Sequence, residues 1–153
     1  MVHSAVSQPA EGRDMSSFTK TFPPGTLVIR TDITVTSIVS KKPGEKIVCD
    51  AIWDTGANAS AISLSMARKL GLTPVQTAFF STANGRCEMP MYMVDMVLPN
   101  GRQIKDVMVS GLNLNICDAL VGMDIITQGD FHLTNDGKTV FSFNIPPEKR
   151  PTP

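Results

Sequence analysis

Ile52-Trp53-Asp54-Thr55-Gly56-Ala57-Asn58 is the stretch on which the fold turns. An aspartate here leaves an apolar strand for a run of small residues, close to the core, where an ionised carboxylate is costly without partners. Thr55, Gly56 and Ala57 let backbone approach closely, and Gly56 supplies the freedom a tight turn needs. The plain alternative is an Asp-initiated turn after a strand, a common device. A D-T-G tripeptide alone is therefore a modest signal.

On either side of this stretch the chain is written mostly in strands. Leu27, Ile29, Ile33 and Val35 alternate with Arg30, Asp32, Thr34 and Thr36, the pattern of a half-buried strand. Lys41 to Glu45 form a turn, after which Ile47, Cys49, Ala51 and Trp53 restart the alternation. Trp53 points away from the face of Asp54 and is expected in the core. Beyond the motif, Ser63 can cap a short helix in which Ile62, Met66 and Leu70 share a face, with Arg68 and Lys69 in its last turn and Gly71 as its stop. Three hairpin signals follow at Asn84-Gly85, Asn100-Gly101 and Asn135-Asp136-Gly137. Met89, Met91 and Met93 line one strand face, as core filling or as a plastic cleft wall. The expectation is a small antiparallel β domain over residues 25–145 with one or two short helices. Residues 1–24 are expected to be a flexible arm, removable by self-cleavage, and residues 146–153 a Pro-rich tail.

Composition closes several functional classes. The 153 residues carry 14 Lys+Arg against 14 Asp+Glu, which removes the basic footprint of a nucleic-acid or anionic-membrane binder. No apolar run reaches membrane-spanning length, and the first residues lack a signal-peptide pattern. A soluble, single-domain, cytoplasmic protein is expected, with no nucleic-acid and no membrane partner. Cys49, Cys87 and Cys117 are odd in number and have no C-x-x-C spacing. With only His3 and His132 beside them, a metal site, a cofactor and a cysteine nucleophile are all disfavoured.

A second motif, Ala119-Leu120-Val121-Gly122-Met123-Asp124, repeats the apolar-apolar-Gly pattern later in the chain. The D-T-G-A and G-x-D segments together, in this order and spacing, resemble the retropepsin-like aspartic proteases, closer to cellular and bacterial members than to viral enzymes. The resemblance implies an all-β fold: a small closed acid-protease β-barrel with a flap hairpin and one or two short helices, working as a dimer. It implies that Asp54 is catalytic, that Thr55 hydrogen-bonds across the dimer axis, and that Gly56 approaches the substrate. Ala57, Asn58, Leu120 and Val121 would border a bound polypeptide, with Ala83, Asn84 and Gly85 at the flap tip. One D-T-G in 153 residues means that a homodimer must supply the second carboxylate. The strand from Lys138 to Asn144 is expected in the dimer sheet. Viral members carry an Asp–Arg ion pair at the positions held here by Asn58 and Met123, so Asp124 is expected to anchor its helix instead. The alternative function is a catalytically weak or inactive module of the same fold that dimerises or binds peptide. A cysteine-dependent hydrolase using Cys87 is the third.

Overall fold

The computed structural model describes residues 6–7 and 17–146. Eleven strands and two short helices are present among them, in two sheets. Strands β3 (Arg30–Ser37) and β4 (Lys46–Trp53) form a hairpin whose turn is tied by Ser37, which accepts from Glu45 N and donates to Lys42 O. β4 delivers the chain to Asp54. Strand β5 (Ala61–Ser63) then leads into helix α1 (Leu64–Lys69), with Ser63 accepting from Met66 N at 3.0 Å. The expected cap, the basic last turn and the left-handed Gly71 are all found.

Strands β6 (Gln76–Thr82), β7 (Gly85–Val97) and β8 (Gln103–Leu112) form two successive hairpins. Strand β9 (Ala119–Val121) and helix α2 (Met123–Ile126) follow. The pairings β3–β4, β4–β9, β9–β5, β5–β8, β8–β7 and β7–β3 close a ring of six strands. The expected barrel is therefore present. It is not purely antiparallel: β4 runs parallel to β9, and β5 parallel to β8. The reason is that β5 and β9 are three-residue strands inserted between distant partners, which no local turn signal announces.

Thr31, Ile33 and Val35 are buried on one face of β3, with Ile29 buried just before it, and Cys49, Ala51 and Trp53 on the matching face of β4. Leu27, assigned to the same alternating face, is instead 95% exposed, because the strand starts only at Arg30.

The second sheet has the order β1 (Val6–Ser7), β2 (Ser17–Phe22), β11 (Thr139–Asn144), β10 (Asp130–Thr134). Ser17–Phe22 thus belong to the folded domain and not to a flexible arm. Phe18 and Phe22 are buried, and intervening Thr19, Lys20 and Thr21 disguised the strand. Residues 1–5 and 8–16 of the expected arm and residues 147–153 of the expected tail lie outside the described residues. β11 lies between β2 and β10, so both of its edges are already bonded within one chain. β1 and β10 are the outer strands of this sheet.

The sheets are joined by aromatic packing. The Trp53 ring lies 5.0 Å from Phe141, 4.9 Å from Phe143 and 5.7 Å from Phe18, centre to centre. Tilted pairs at such spacing stabilise beyond simple area burial. The Trp53 indole N–H also finds a partner, donating to Thr31 Oγ1 at 2.9 Å.

Candidate active site

Asp54 occupies the first position after β4, and its backbone is gripped from two sides. Its N–H donates to Val121 O at 2.9 Å, while the preceding N–H of Trp53 donates to Ile29 O at 2.9 Å. The Trp53 ring locks into the aromatic cluster directly behind the loop. Asp54 is half-buried, with Thr55 and Gly56 exposed beside it. One carboxylate oxygen, Oδ1, accepts from Gly56 N at 2.9 Å, which fixes the side chain against its own turn. A Cβ at Gly56 would stand 3.2 Å from that same oxygen, a tight contact that glycine avoids.

The loop is braced against α2. Ala57 O accepts from Met123 N at 2.8 Å, and Asn58 O from Asp124 N at 3.2 Å. Gly122 passes so close under the loop that a Cβ would stand 2.8 Å from the Ala59 carbonyl. Ser60, buried completely, is the hub. Its hydroxyl donates to Asp124 Oδ1 at 2.7 Å and accepts from Gly122 N at 3.0 Å. Its N–H donates to Asp124 Oδ2 at 3.0 Å. Asp124 also accepts from Ile125 N at 3.0 Å. Asp124 thus anchors both its helix and the loop, to which Asn58 and Met123 add backbone hydrogen bonds. Ser60 was not singled out in the sequence, since a serine after the motif carries no pattern of its own.

The remaining sequence-selected residues fall as follows. Leu120 is half-buried in β9, opposite Ile52. Val121 is fully enclosed, so it supports Asp54 from behind and presents no surface to a bound chain. Ala83 and Asn84 form the two-residue turn of the β6–β7 hairpin, and left-handed Gly85 starts β7. That hairpin carries exposed Phe79 and Phe80, with the Arg86 guanidinium 4.0 Å from the Phe79 ring centre. Met91 is buried, whereas Met89 and Met93 are half-buried.

None of the three cysteines is in a disulfide. Burial, reinforced by Asp118 and Asp50, pushes the Cys49 thiol up to about 12. Burial and Asp50 also raise that of Cys117. Both thiols stay protonated and un-nucleophilic near neutral pH.

A closed six-stranded barrel that presents one D-T-G loop braced by a G-x-D helix defines the retropepsin-like aspartic protease class. The chain belongs to the family described as "gag-polyprotein putative aspartyl protease", whose model matches residues 44–128, more than half of its length. Its fold is similar to the crystal structure of a retropepsin-like aspartic protease from Rickettsia conorii, with TM-score 0.58 and 18% identity over 94% of each chain. The solution structure of the simian foamy virus (mac) protease aligns more weakly, with TM-score 0.46 and 18% identity, over 63% of this chain and 92% of that one. No curated protein matches the chain in sequence.

Proposed function

We propose that this protein is a homodimeric aspartic endopeptidase in which Asp54 from each of two chains activates one water molecule. The observation that carries this is the placement of Asp54: a half-buried carboxylate held by Gly56 N, in the turn that follows barrel strand β4. Two such carboxylates facing each other cannot both be ionised, because like charges at hydrogen-bond distance repel strongly. They share one proton. The ionised one takes a proton from water as the oxygen attacks the peptide carbonyl, while the protonated one donates to the carbonyl oxygen. Collapse of the resulting diol, with proton transfer to the amide nitrogen, releases the two peptide fragments. Preorganisation is the chain's own contribution: the Asp54 loop is tied to β9, α2 and the aromatic cluster, so little reorganisation is needed during reaction.

The substrate in this reading is an extended polypeptide. It would lie along Ala57 and Asn58, with Leu120 below it. The β6–β7 hairpin would act as the flap, with Ala83, Asn84 and Gly85 at its tip. Added main-chain hydrogen bonds would hold the strand, as in other cases of strand addition. Residues 17–145 would form the protease domain. The absence of disulfides supports a reducing, cytoplasmic setting.

Digestion of a peptide library at several pH values tests this. Cleavage that disappears in a folded Asp54→Asn protein is expected, with an optimum on the acidic side. Equal cleavage by that variant would exclude the mechanism.

A further inference from the structure

Beside Asp54 the outward face of the barrel has an apolar floor that ends in charge. Side chains alternate along a strand, so Ile52 and Asp54 share the outward face of β4 while Trp53 turns to the core. Ile52 lines a groove together with Asp54 and Thr55. β9 alternates in step: Cys117, Ala119 and Val121 are buried, whereas Asp118 and Leu120 are half-buried on the outward side. Ile52 and Leu120 stand opposite one another in the pairing of the two strands. Asp118 lies next to Leu120 on the same face.

The charges here do not balance. Arg30 Nη1 donates to Asp50 Oδ2 and, at 2.8 Å, to Ile116 O, so this guanidinium answers Asp50. No other ion pair is present among the described residues. Lys20 Nζ donates to Arg30 O at 2.7 Å. Asp118 is left without a cationic partner among the described residues, yet it is held firmly. Its Oδ2 accepts from Asp50 N at 3.0 Å, and its own N–H donates to Asp50 O at 2.9 Å. Its other oxygen, Oδ1, accepts no hydrogen bond from the described residues. An aspartate that only ends a strand pairing needs a single oxygen for the task. A fixed carboxylate with a spare oxygen also suits an incoming ammonium or guanidinium, because little side-chain freedom remains to be lost on binding.

We propose that Asp118 selects the substrate: the favoured polypeptide carries Lys or Arg within about three residues of the scissile bond, beside apolar residues that lie on Ile52 and Leu120. The spacing follows from β9. Val121 O holds Asp54 N, and Asp118 precedes Val121 by about 10 Å of strand, which an extended peptide spans in about three residues. In a twofold pair the second Asp118 lies on the other side of the bond, so a basic residue on either side is read. The inference rests on the peptidase reading of Asp54, but binding can be followed without cleavage.

The probes are fluorescent decapeptides with Leu-Phe at the centre and Lys, Gln or Glu at one flanking position at a time. Their kcat/KM with wild type and their Kd with the Asp54→Asn protein, from anisotropy, are compared. At the best position Lys should be favoured over Gln by about tenfold, and Glu should be worst. High salt should shrink the difference. Asp118→Asn keeps an acceptor for Asp50 N, and melting should show it folded. It should abolish the Lys preference and leave the Gln peptide as in wild type. A Lys preference that is absent, or that survives Asp118→Asn, would overturn the assignment. Selective binding of the Lys peptide by Asp54→Asn protein, lost on adding Asp118→Asn, would uphold it even if wild type cleaves nothing, and would then refute the peptidase reading alone.

Discussion

Ser60→Ala removes one hydroxyl from a side chain with 0% exposure. That hydroxyl accepts from Gly122 N at 3.0 Å, and Gly122 is itself buried. Its loss leaves a buried N–H without an acceptor, which costs about 1–3 kcal/mol. The hydroxyl also donates to Asp124 Oδ1 at 2.7 Å. A bond to a charged group contributes about 1.5–3 kcal/mol, but Asp124 is half-buried and water can replace part of it, so about 1 kcal/mol is carried forward. The expected destabilisation is about 3 kcal/mol, or roughly 10 °C in Tm for a domain of this size. Urea unfolding followed through the single tryptophan, Trp53, provides the assay. The midpoint should fall with an unchanged m value. Peptidase turnover of the still-folded variant should drop about tenfold or more, because the loop that aims Asp54 loses its brace. A loss below about 1 kcal/mol would show that the Ser60–Asp124–Gly122 bonding does not hold the loop.

Three further outcomes are expected. Gly56→Ala and Gly122→Ala should separate activity from stability: the first crowds Asp54 Oδ1 at 3.2 Å and should abolish most cleavage with little change in Tm, whereas the second drives a methyl to 2.8 Å from the Ala59 backbone and should cost about 3 kcal/mol or more. Activity assays and melts of the pair decide this, and equal stability of the two variants would contradict it. Above pH 9 the folded Cys49 thiol, raised to about 12, keeps a proton that the unfolded thiol has lost, so stability falls as pH rises by up to about 1.4 kcal/mol per unit. Cys49→Ala should flatten that fall in urea midpoints between about pH 8 and 10.5, and parallel slopes in the two proteins would refute the assignment. Phe18→Ala should cost about 3–5 kcal/mol, since Phe18 packs on Trp53, Phe141 and Phe143; a change within error would remove Ser17–Phe22 from the domain.

What could be read from the sequence was what neighbours in the chain decide. The Ser63 cap, the Gly71 stop, the alternation leading to Trp53 and the hairpin turns at Asn84 and Asn100 each depend on residues a few positions apart, and each is found. Long-range pairing was hidden. β5 and β9 are too short to show a period, yet they close the barrel by bonding strands far away in sequence. Ser17–Phe22 has only two apolar residues, and it becomes a strand because β11 offers it an edge and Trp53 offers Phe18 a partner. Leu27 continues an apolar alternation past the point where the strand begins, so burial was expected where the structure shows exposure. At the candidate site, the tight turn made by Asp54, Thr55 and Gly56 was legible from the motif. Ser60 was not, because its importance lies in contacts to Gly122 and Asp124 that only the folded chain creates.

Mixing wild type with Asp54→Asn protein tests the central claim most directly, because each chain is held to provide half of one active site. After subunit exchange with a ninefold excess of the variant, cleavage per wild-type chain should fall to about one tenth, following the fraction of wild-type chains that still meet a wild-type partner. Cleavage per wild-type chain that is unchanged by the excess would show that one Asp54 suffices and would contradict the account.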